Sequence, residues 1–87
     1  MKKEENVLTV FTMPSCPNCP AAKKVCNEVA KELGIKMRVI DIKEDFLTAL
    51  MFQVMETPSI AINDETIFFS EVPNKQNLLK EIKTHTE

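Results

Sequence analysis

The chain has no tryptophan, no tyrosine and one glycine in 87 residues. Such a composition speaks against a fold built from loops or rich in aromatic stacking. Neither sign of charge dominates: eleven basic and thirteen acidic side chains leave a net charge of -2. Without a broad cationic field, neither nucleic acid nor an anionic lipid surface is expected as a partner. No apolar run approaches the roughly 20 residues of a membrane span. At the amino terminus Glu4, Glu5 and Asn6 interrupt the basic start, and the apolar run from Val7 to Phe11 is too short for a secretory signal. The cytoplasm is therefore the expected compartment.

What is present is ordinary for a small soluble globular protein, with 44% apolar and 28% charged residues. A chain of this length reads as one domain spanning residues 1–87, burying only about 60–65% of its unfolded surface. "VLTVFT", Val7 to Thr12, is β-branched, apolar and closed by Pro14, the pattern of a buried central strand. From Ala21 the apolar residues Ala21, Ala22, Val25, Cys26, Val29, Ala30 and Leu33 trace one helical face, and Gly34 ends it. "MRVIDI", residues 37 to 42, is a second strand, parallel to the first because the intervening helix supplies the crossover. Asp45 caps a short helix carrying Phe46, Leu47, Ala49, Leu50 and Phe52. "SIAIN" and "TIFFS" flank Asn63-Asp64-Glu65 as a hairpin, and "PNKQNLLKEIK" closes the chain as a helix with Leu78, Leu79 and Ile82 inward. The expected order is β-α-β-α-β-β-α.

The chemistry centres on Cys16-Pro17-Asn18-Cys19, at the passage from the first strand to the first helix. Three cysteines in a reducing compartment do not make a disulfide framework, so this pair is a redox couple, part of a metal site or two structural thiols. The helix start favours the first reading. The positive end of a helix dipole stabilises a thiolate, and the leading cysteine of such a pair can have a pKa between about 3.5 and 7.5. Cys19, a turn further on, faces inward beneath Cys16, and the spacing permits a disulfide. Pro17 suits the first helical position. Pro20, about a turn in, removes an early helix bond and should kink the first turn or shift the helix start.

With "FTMPSCPNCP" followed further along by "METPS", the chain resembles the thioredoxin and glutaredoxin superfamily, most of all its small members with a C-P-x-C-P site. The likeness runs from Val7 to Lys83. It implies a thioredoxin-like α/β fold, a four-stranded mixed sheet flanked by three helices, and thiol–disulfide exchange as the activity. Cys16 is the implied nucleophile and Cys19 the resolving thiol, with Pro17 and Asn18 as the active-site loop. Thr57 and Pro58 inherit the substrate-aligning role of the family's cis-proline segment. Protein disulfides are the implied substrates, electrons come from an external reductase or small thiol, and a monomer with no metal or organic cofactor is expected. Two departures stand out. Val10 occupies the place of the buried aspartate of thioredoxins, and residues 70 to 77 lack the Gly-Gly and acidic pair with which glutaredoxins grip glutathione.

The alternative is a metal or iron–sulfur carrier using Cys16 and Cys19, although zinc ordinarily takes four ligands and only Cys26 and His85 remain. A deeper thiol role is open to Cys26, but a small apolar residue on the inner stripe is the simpler reading. His85 reads as a frayed, solvated terminal residue; Lys23 and Lys24 read as solvated charges, although one turn from the thiols they could modestly favour a thiolate; and Glu56 is either a proton acceptor beside Thr57 or, as is common, an exposed loop carboxylate. Met13 and Met55 flank the two site segments and form either core or an adaptable rim for protein substrates.

Overall fold

A computed structural model of the chain describes residues 6–86, so the basic start in residues 1–5 lies outside the described part. The elements are β1 (Val7–Thr12), α1 (Cys19–Leu33), β2 (Lys36–Asp41), α2 (Phe46–Met51), β3 (Ser59–Ile62), β4 (Glu65–Phe68) and α3 (Lys75–Thr86), in the expected order. The four strands form a mixed sheet in the order β2-β1-β3-β4. β1 runs parallel to β2, with Val10 beside Val39, and antiparallel to β3, with Val10 beside Ile60.

Alternation along the central strands divides the core between the two faces of the sheet. Leu8 and Val10 of β1 join Ile60 and Ile62 of β3 against Ala22, Cys26, Val29 and Ala30 of α1 and Leu78 and Ile82 of α3. On the other face Phe11, Ile40 and Ala61 meet Ala49 of α2 and Val54, and Phe11 lies 5.2 Å from Phe52, ring centre to ring centre.

The ends of the elements follow local chemistry. Gly34 caps α1 at a left-handed φ of 69°, the conformation that glycine adopts at least cost. β2 begins and ends one residue earlier than the apolar run suggests. The Lys36 N–H already pairs with the Asn6 carbonyl, while the Asp41 side chain takes the Lys43 N–H and its carbonyl takes those of Glu44 and Asp45, turning the chain. Asp45 caps α2 as expected, accepting the Thr48 N–H at 3.3 Å. This six-residue helix is too short to bury its apolar residues together: Ala49 is buried and Phe52 half-buried, but Phe46, Leu47 and Leu50 are exposed. The hairpin turns on Asn63 and Asp64 alone, and Glu65 pairs with Ile62. His85 is not frayed. It lies in α3 with Nδ1 3.1 Å from Glu65 of β4 and Nε2 3.6 Å from Glu81.

Candidate active site

β1 delivers the chain at Thr12 to the edge of the sheet, and the Cys16 N–H then donates to the Met13 carbonyl at 3.1 Å, closing a turn through Pro14 and Ser15. Pro17 and Asn18 make a second turn, with Asn18 as the exposed N-cap of α1. The helix therefore starts at Cys19. Pro17, expected at the first helical position, instead precedes the helix, whereas Pro20 stands in its first turn, the shifted start being one of the two outcomes expected of it. The start has moved to where Pro20 costs least, because the first few N–H groups of a helix have no partner within it.

Cys16 and Cys19 are joined sulfur to sulfur, with their Cα atoms 5.5 Å apart. They differ in access. Cys19 is 3% exposed, pinned at the inner start of α1, whereas Cys16 is only half-buried. The third thiol, Cys26, is fully buried deeper in the α1 stripe, and burial pushes its pKa up to about 12.

Two cavities flank the pair. One, of about 310 Å³, is lined by Met13, Ser15, Cys16 and Pro17 from the cysteine loop and by Met55, Glu56, Thr57 and Ser70 from across the sheet. Thr57 thus shares a groove with Cys16 despite their distance in sequence. Pro58 follows it, buried, with a cis bond from Thr57, and its carbonyl accepts the Glu71 N–H at 3.1 Å. Met55 is 75% exposed, so it forms a rim rather than core. The other cavity, of about 330 Å³, holds Thr12, Cys16, Cys19, Pro20, Lys23 and Asp41 among its walls. Lys24, by contrast, lines neither cavity.

Sequence patterning misses three contributors. Ser59 is fully buried; its hydroxyl donates to the Glu56 carbonyl at 2.7 Å and accepts the Ser70 N–H at 3.2 Å, fastening both loops of the groove to β3. A serine at the start of an apolar strand is the only local signal of that role. Ser70 and Asp41 give no local signal at all, since only strand pairing brings them to this edge. Among the described residues, no cluster of three or more His, Cys, Asp or Glu side chains is placed to hold a metal ion.

Residues 7–83 match the family model described as Thioredoxin domain. The chain is 37% identical over 78 residues to a thioredoxin of Methanocaldococcus jannaschii, covering 87% of this chain and 91% of that one. It is 39% identical over 82 residues to a probable thioredoxin of Methanothermobacter thermautotrophicus, covering 92% and 95% respectively. Among solved structures, a protein disulfide oxidoreductase from Aeropyrum pernix superimposes with a TM-score of 0.82 at 29% identity, over 97% of this chain and 38% of that longer one. A thioredoxin variant from Halobacterium salinarum superimposes with a TM-score of 0.81 at 21% identity, over 97% of this chain and 77% of that one.

Proposed function

The chain belongs to the Thioredoxin domain family and is a thiol–disulfide oxidoreductase; on that premise we propose that Cys16 is its attacking sulfur, Cys19 its resolving sulfur and protein disulfides its substrates. The observation that carries this reading is the unequal exposure of two bonded cysteines, one half-buried beside a groove and the other 3% exposed beneath it.

In the reduced protein the Cys16 thiolate attacks a substrate disulfide, forming a mixed disulfide and releasing one substrate thiol. The positive end of α1 lies at this loop and favours the thiolate. Cys19 then attacks Cys16, releases the second substrate thiol and leaves the pair oxidised. The groove formed by Met13, Pro17, Met55 and Thr57 suits an extended polypeptide segment, with the methionines adapting to different side chains and the Thr57 backbone aligning the segment. Pro58 fixes the start of β3 behind it and offers no N–H to compete for the thiolate. Pro17 and Asn18 shape the loop and keep Cys16 on the open side. An external reductase or small thiol returns the electrons. We place the protein in the cytoplasm as a monomeric reductant, where Cys26 persists as a thiol.

Iodoacetamide labelling of the reduced protein followed by peptide mapping tests the assignment. Cys16 is expected to react first, with an apparent pKa below the free-thiol value of about 8.5. Equal rates at Cys16, Cys19 and Cys26 would overturn it.

A further inference from the structure

Resolution of the mixed disulfide requires Cys19 to lose a proton, yet Cys19 is almost completely buried, and Val10, on the strand that packs against α1, has no group to accept it. The titratable side chains around the second cavity are Cys16, Cys19, Lys23 and Asp41. Of these, only Asp41 carries a carboxylate, whose oxygens can accept a proton. We propose that Asp41 is the proton acceptor for Cys19, acting through water held in this cavity.

Three features carry the assignment. Asp41 ends β2 directly beside Thr12, the last residue of β1, so parallel pairing fixes it at the edge from which the cysteine loop departs. Its side chain is anchored rather than free: Oδ1 accepts the Lys43 N–H at 2.9 Å, which leaves the carboxylate's remaining lone pairs for a water. The cavity between it and Cys19 has a volume of about 330 Å³, enough for water at about 30 Å³ per molecule.

The Cys19 thiol passes its proton through water to the Asp41 carboxylate, and its sulfur attacks Cys16 Sγ. The Cys16–Cys19 bond forms as the bond from Cys16 to substrate breaks, and the departing substrate thiolate takes up a proton. Two electrons have passed from the protein dithiol to the substrate disulfide, and Asp41 then returns its proton to solvent.

The inference rests on the exchange reaction proposed above and is tested so that the two fail separately. Reduced protein in excess over dithiobis-nitrobenzoate releases one coloured thiolate when Cys16 attacks and a second when Cys19 resolves, and stopped-flow absorbance separates the phases. Asp41→Asn keeps an oxygen for the Lys43 N–H and so preserves the turn. Its second phase is expected to slow about a hundredfold at neutral pH, within the ordinary contribution of a positioned base, and to recover towards the wild-type rate as pH rises and hydroxide replaces the carboxylate. The first phase should keep its rate, and Asp41→Glu should restore much of the second. An unchanged second phase in Asp41→Asn, or one slowed equally at every pH, would overturn the role of Asp41. Absence of the first phase in the wild type would instead overturn the proposed function.

Discussion

The two ends of β1 show opposite solutions to the same problem. At its start the chain is sealed. The Asn63 side chain accepts the Val7 N–H at 2.9 Å and donates to Asn6 at 3.0 Å, the Asn63 N–H pairs with the Val7 carbonyl at 2.8 Å, and His85 of α3 lies 3.1 Å from Glu65 nearby. At its finish the chain opens. The cysteine loop rises from Thr12 with a cavity on either side of the bonded sulfurs, and buried Ser59 holds the groove walls from behind. The sealed end satisfies polar groups with fixed partners across the sheet, whereas the open end leaves a polarisable sulfur where another molecule can reach it. Stability resides at one end and reactivity at the other, joined by the same buried strands.

The comparison breaks most completely at the sulfurs. Cys16→Ser should abolish disulfide exchange, because no other accessible thiol remains to make the first attack. Cys19→Ser should instead accumulate a mixed disulfide at Cys16, visible as a mass adduct removed by dithiothreitol. If Cys26→Ser abolished turnover as fully, the division between reactive mouth and inert interior would be wrong.

Cys26 sharpens the division, because it lies on the same helix but deep in the core. Its thiol, pushed up to about 12 by burial, should stay unmodified by iodoacetamide at neutral pH until the protein is unfolded. The same shift makes its contribution to stability depend on pH. The folded state favours the neutral thiol, while the unfolded chain loses that proton near the ordinary value of 9.0. The stability that Cys26 contributes is therefore complete below about pH 9 and is lost progressively as pH rises towards about 12. Denaturant titrations of the wild type and Cys26→Ala should show their difference in stability shrinking across that window.

Matched substitutions at the two ends give smaller effects of different kinds. Ser59→Ala leaves the Ser70 N–H and the Glu56 carbonyl without their partner, a loss of about 1–3 kcal/mol. Because both groups belong to the groove, KM for a protein disulfide should rise as well. Asn63→Ala frees the Val7 N–H and places alanine at a φ of 55°, costing about 1–2 kcal/mol for the backbone beyond the lost bonds. The exchange rate at a temperature where the variant stays folded should not change. A slowed rate in Asn63→Ala would mean that the sealed end also shapes the site.

Much of this protein is legible one segment at a time. The β-branched run Val7 to Thr12, the apolar stripe of α1, Gly34 after it and Asp45 before α2 each declare themselves because period, capping and turn chemistry are local properties. The pair Cys16 and Cys19 is equally local, since its spacing and place before a helix are visible in a few residues. The exact helix start was less so: two competing prolines shifted it to Cys19, and no single rule weighs one proline against another. The burial of α2 was not legible, because Phe46, Leu47 and Leu50 look like core until a six-residue helix is laid on the sheet and too little facing surface remains for them.

The elements, their order and the two sulfurs are readable in the chain because each depends on contacts within a turn or a strand's length. The residues that share the sulfurs' surroundings emerge only once the strands have paired. Parallel pairing brings Asp41 into one cavity with Cys16 and Cys19, while Thr57 and Ser70, the latter held by Ser59 of β3, line the other with Cys16. Those neighbours come from strands distant in the chain, and strand register, which is settled by burial of the whole sheet at once, is what sets them beside the cysteines.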